Sequence, residues 1–85
     1  MISYNDYAKT DFNKIVGQNI RDIRKDKNIS VAYLADELGY SRATFWNYEQ
    51  GKLKIGVDFV FKVAFLLKGP YTEVMRIPGK RWRDG

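Results

Sequence analysis

The chain concentrates its hydrogen-bonding side chains in one short run, SRATFWNYEQGKLK, residues 41–54. The guanidinium of Arg42 is a two-pronged donor that matches the O6 and N7 acceptors of guanine. The amide of Asn47 both donates and accepts, which matches N6 and N7 of adenine, and the methyl of Ala43 suits that of thymine. Arg42 could equally hold a phosphate, a contact that positions a protein on nucleic acid without reading it. Ser41 and the free amides of a helix start can do the same. Catalysis needs an acid, base or nucleophile in a pocket. The chain has no histidine and no cysteine, and Asp22, Asp26, Asp36, Glu37, Asp58 and Glu73 are scattered. An enzyme is not expected, and neither is a metal or cofactor.

These residues must be held by helices. Ser30 can cap a helix with Val31, Leu34, Ala35 and Leu38 inward, and Gly39 supplies a turn that tolerates positive φ. Ser41 caps a third helix anchored by Phe45 and Tyr48 and ended by Gly51. Two short helices joined in this way form a helix-turn-helix, the unit that lays its second helix in the DNA major groove. The outward face of the third helix then carries Arg42, Ala43, Trp46 and Asn47. Trp46 has two readings there: packing on a thymine methyl or sugar edge, or filling a gap against the C-terminal segment.

A first helix from Thr10 or Asp11 to about Lys27 carries the stripe Phe12, Ile15, Val16, Ile20, Ile23, with Asn28 as its stop. A fourth, Val57 to Lys68, is expected to turn Val57, Val60, Phe61, Ala64 and Leu67 inward, and Gly69-Pro70 breaks it. Tyr71 to Ile77 reads as a fifth helix or a strand. The fold class is therefore all-α: a compact bundle of four or five helices containing the helix-turn-helix. Residues 11–77 form the domain, 1–10 an N-terminal arm, and 78–85 a flexible basic tail.

The formal charge of +5 favours polyanions but is concentrated at one end, where Arg76, Lys80, Arg81 and Arg83 face only Asp84. The N-terminus shows no signal-peptide pattern. The longest apolar stretch, 57–67, includes Lys62 and falls far short of the roughly 20 residues needed to cross a bilayer. No membrane partner is expected, and the cytoplasm is the expected compartment.

From Val16 to Leu67 the chain resembles the phage-repressor-like helix-turn-helix family, also called the xenobiotic-response-element or Cro/C1 type. The resemblance rests on GQNIRDIRKDKNIS, then LADELGYSRATFWNYEQGK, then an apolar fourth helix with Lys-Val-Ala at 62–64. Its most specific part is Leu34-Ala35, Gly39, Ser41, Thr44 and Glu49-x-Gly51-Lys52 taken together. The resemblance implies a sequence-specific, double-stranded DNA-binding transcriptional regulator of repressor type, from a phage, plasmid or mobile element. It implies base contacts at Arg42, Ala43 and Asn47, phosphate contacts from Thr44, Gln50, Lys52 and Lys54 beside Ser41, and a structural ion pair between Arg24 and Glu49. It generally has a smaller polar residue where Trp46 stands. The family often has glutamine at Val31, so readout there is apolar or lost. It also often has proline where this chain has Ile55-Gly56, a loop that is looser here or packs Ile55 into a partner.

Phe59, Phe65 and Leu66 fall partly outside the inward face of the fourth helix. They serve either a wide core or a homodimer contact through that helix and residues 71–77, which would match a palindromic operator. The alternative to a regulator is an antitoxin or other protein-interaction module on the same fold.

Overall fold

The computed structural model describes residues 11–77; the expected arm at 1–10 and basic tail at 78–85 lie outside the described residues. Five helices follow in order: α1 Phe12–Asp26, α2 Val31–Leu38, α3 Arg42–Glu49, α4 Val57–Leu67 and α5 Tyr71–Val74. Within the segment 71–77, Tyr71–Val74 form one helical turn led by Pro70, and the segment contains no strand.

Local chemistry sets the helix starts. The side chains of Asp11, Ser30 and Ser41 each accept from the main-chain N–H three residues on, in Lys14, Tyr33 and Thr44, and so satisfy a donor that the helix itself leaves open. The ends of the four longer helices share a second device. Asn28, Gly39, Gly51 and Lys68 adopt positive φ. The next residue's N–H returns to the carbonyl five positions back: Ile29 to Arg24, Tyr40 to Ala35, Lys52 to Asn47, Gly69 to Ala64. This left-handed closure caps carbonyls that would otherwise face the end of the helix unpaired.

Val16, Ile20, Leu34, Phe45, Val63, Leu67 and Val74 are the largest fully buried side chains, drawn from all five helices. Each buried apolar side chain of this size contributes roughly 1.5–3 kcal/mol. Polar side chains tie the outlying pieces to this core. The Asn13 carbonyl accepts the Ile55 N–H at 2.8 Å, and the Asn19 amide donates to the carbonyls of Val74 and Arg76 at 2.9 and 2.6 Å. The Lys27 ammonium donates to the carbonyls of Leu67 and Lys68 at 2.6 and 3.2 Å, capping the end of α4 with a cation.

Helix α4 is rotated from the expected orientation. Phe59, Val60, Val63, Ala64 and Leu67 are buried, whereas Val57 is 68% exposed and Phe61 50%. Phe59, expected to lie partly outside, stacks on Tyr48 with ring centroids 4.2 Å apart and also meets Tyr40 and Phe45. An almost wholly apolar helix gives periodicity little to act on. The face is set instead by the one charged pair, Asp58 and Lys62, which bridge at 2.9 Å and must lie in water. Ile55 is buried in the chain's own core and not in a partner, and Leu66 packs against that core.

Candidate nucleic-acid interface

The inner side of α3 is fastened more firmly than its eight residues would suggest. Phe45 is fully buried behind it. Glu49 is also buried, its side chain only 2% exposed, and it receives Arg24 Nε at 2.7 Å and Nη2 at 3.1 Å. The remaining Arg24 nitrogen donates to the Ile29 carbonyl at 3.1 Å. One buried carboxylate and one largely buried guanidinium are therefore paired in a two-pronged geometry, which joins α1 to the far end of α3.

Two glycines permit that crossing. A Cβ at Gly17 would collide with the carbonyl oxygens of Tyr48 and Glu49, and one at Gly51 would sit 2.6 Å from the Lys14 Cα. The backbones of α1 and the end of α3 can touch only because both positions lack a side chain. Gly51 also needs its left-handed φ of 76°. Periodicity and capping do not single out Gly17, since an isolated glycine within a helix ordinarily reads as a tolerated cost of about 1 kcal/mol. Burial pushes the Tyr48 phenol above its ordinary pKa, with the adjacent Tyr40 adding to the effect.

The opposite side of α3 is open. Arg42 and Ala43 are exposed, Trp46 is 48% exposed and Asn47 is partly exposed. The side chains of Arg42 and Asn47 have no hydrogen-bond or ion-pair partner among the described residues. The amides of Asn13 and Asn19 and the guanidinium of Arg24 are all engaged inside the molecule. At the start of the helix, the Ser41 hydroxyl accepts the Thr44 N–H at 3.1 Å and donates to the Thr44 hydroxyl at 2.8 Å. The Thr44 hydroxyl proton is thereby left for an outside acceptor, beside the open amides of the first turn. Gln50 caps the C-terminal end, and Lys52 and Lys54 are exposed just beyond it. The Lys52 ammonium lies 5.0 Å from the centre of the Trp46 ring.

Residues 20–74, well over half of the chain, match the family described as helix-turn-helix. The chain belongs to the phage-repressor-like helix-turn-helix family. It is accordingly a DNA-binding helix-turn-helix regulator, and its partner is double-stranded DNA. The family match begins inside α1 and ends with α5, so it takes in the α2–Gly39–α3 unit together with its supports. No curated protein and no solved structure matches the chain. No described helix is long and apolar enough to cross a membrane, and the described residues contain no group of side chains suited to a metal ion.

Proposed function

We propose that the protein is a repressor that reads a specific duplex sequence by inserting α3 in the major groove and blocks transcription by occupying that DNA. Arg42 pairs with guanine, Asn47 with adenine, and Ala43 meets a thymine methyl. Ser41, Thr44, Gln50, Lys52 and Lys54 hold phosphates on either side and fix the register. The domain is residues 11–77, with 1–10 as an arm and 78–85 as a basic tail.

One observation carries this reading. The guanidinium of Arg42 and the amide of Asn47 are unengaged among the described residues, on the outer side of a helix whose inner side is fastened by Phe45 and the Arg24–Glu49 pair. Selection of bound duplexes from a random pool, at two salt concentrations, tests it. A consensus containing guanine and adenine positions is the expected result. Sequence-blind binding at both salts would overturn base reading while leaving phosphate binding intact.

The protein works as a homodimer on a palindromic operator, with half-sites about 34 Å apart. Support comes from the outer side of α4, where Val57, Phe61 and Phe65 recur at intervals of four, with Tyr71 against Phe61 at 5.0 Å. Beside them a groove lined by Leu38, Leu66, Glu37 and Lys62 puts an acid and a base on one rim. A two-fold contact can pair these charges across copies. Val74 and Ile77 belong to the chain's own core, so α5 offers a partner chiefly Tyr71. The same open apolar side favours a second reading, an antitoxin or other protein-interaction module. Sedimentation of the purified chain separates the two: self-association fits the first reading, and a chain that stays monomeric fits the second.

A further inference from the structure

Trp46 stands where a base-reading helix has little use for a large indole that is nearly half exposed. Its described contact is with a cation. Gly51 turns the chain left-handed, so the N–H of Gly51 returns to the Tyr48 carbonyl at 3.1 Å and that of Lys52 to the Asn47 carbonyl at 3.0 Å. In this closure the residue after the glycine commonly makes an apolar contact with the last turn of the helix. Here that residue is Lys52, its neighbour on the helix is Trp46, and the ammonium sits 5.0 Å from the ring centre. Lys52 has no carboxylate partner among the described residues, where the ion pairs are Arg24–Glu49 and Lys62–Asp58.

We propose that Trp46 is a positioning residue, which holds the Lys52 ammonium beside α3 ready for a phosphodiester oxygen of the duplex. The inference rests on α3 being the reading helix. A lysine side chain has several free torsions, and freezing them on binding opposes association. The electron-rich indole face attracts the cation without neutralising it, so the ammonium keeps its charge and its outward N–H donors. The backbone of Lys52 is already fixed by its bond to Asn47, and the ring fixes the other end of the side chain. Phosphate grip is thereby ordered before DNA arrives, next to the amide that reads a base.

The test uses the full chain carrying Trp82→Phe, so that Trp46 is the remaining indole, with Trp46→Leu, Trp46→Phe, Lys52→Ala and the Leu/Ala double variant. Leucine keeps an apolar contact at the helix end and lacks a π face. Binding is read by anisotropy on two labelled duplexes, one from the random-pool selection and one scrambled. NMR of the free protein reports the Lys52 ε-methylene protons, which a ring above them shifts upfield. Trp46→Leu is expected to weaken binding about two- to fivefold on both duplexes alike, with partial recovery in Trp46→Phe. The loss should vanish when Lys52 is already alanine, and the upfield shift should disappear with the indole while thermal stability holds. A loss confined to the selected duplex would make Trp46 a base reader and overturn the proposal. An equal loss in the Lys52→Ala background, or an unshifted ε-methylene in the parent, would overturn it as well. A parent that binds neither duplex but keeps the upfield shift would bring down the DNA reading itself, and the proposal with it.

Discussion

Helices α3 and α4 each bury one side in the same core and leave the other in water, yet their outer sides have opposite chemistry. On α3 the outer residues are Arg42, Ala43 and Asn47, polar or small, and a single aromatic, Trp46, held against the Lys52 ammonium; the side chains of Arg42 and Asn47 are unengaged among the described residues. On α4 they are Val57, Phe61 and Phe65, the last 82% exposed. The inner sides differ too. Helix α4 is held by many apolar side chains and α3 by a few strong fastenings: Phe45, the Arg24–Glu49 pair and the bare backbone contact at Gly17. In the proposed function α3 touches hydrated, charged DNA and has no room for a broad greasy stripe, so specific contacts at its rear replace area. In the proposed dimer α4 touches a second copy, and it keeps an apolar stripe on its outer side beside the Asp58–Lys62 pair.

If that contrast is right, changes behind α3 should cost stability, and changes on either outer side should cost binding alone. Glu49→Ala should have the largest effect, about 3 kcal/mol in urea unfolding, because it leaves Arg24 charged and largely buried without its partner. The Arg24→Met, Glu49→Leu double variant should regain most of that loss; if it does not, the pair does more than satisfy its own charges. Gly17→Ala should come next at about 2–3 kcal/mol, since the new methyl meets main-chain carbonyls that cannot swing aside. A thermal midpoint equal to the parent's would show that α1 and α3 can separate freely.

On the outer side of α3, Arg42→Ala should cost about 1–3 kcal/mol at one base position of a selected duplex, whereas Lys52→Ala should weaken all sequences and lower the salt slope by about one. Identical, sequence-blind effects would erase the distinction between reading and gripping. At dilutions where both proteins are monomeric, Phe65→Lys should leave unfolding within about 0.5 kcal/mol of the parent. In sedimentation the same variant should convert a dimer to a monomer, and a variant that still dimerises would move the contact off α4.

What could be read from the sequence was whatever local chemistry decides. Asp11, Ser30, Ser41, Gly39 and Gly51 mark starts and ends because a cap or a positive φ is settled by a residue and its near neighbours. The burial of Leu34, Ala35 and Phe45 followed from spacing, as did the outward placement of Arg42 and Ala43. The orientation of α4 did not, because every residue of that helix except Asp58 and Lys62 is apolar, and only those two reveal the wet side. Gly17 was silent because its reason lies about thirty residues further along, in carbonyls it must allow to approach. In the sequence Lys27 marks only the approximate end of the first helix, whereas its ammonium closes the end of a helix forty residues away. Long-range fastening of this kind leaves no periodic trace.

The eight residues of α3 are closed by Ser41 before them and by the left-handed Gly51 after them. Phe45 and Glu49 lock the angular phase of the turns in between. Each added or removed residue would swing the rest of the helix by about 100° around its axis and carry Arg42 and Asn47 off the side they now share. With α3 as the proposed reading helix, new specificities on this scaffold must arise by exchanging letters at fixed positions, and lengthening or shortening that helix is a route closed to it.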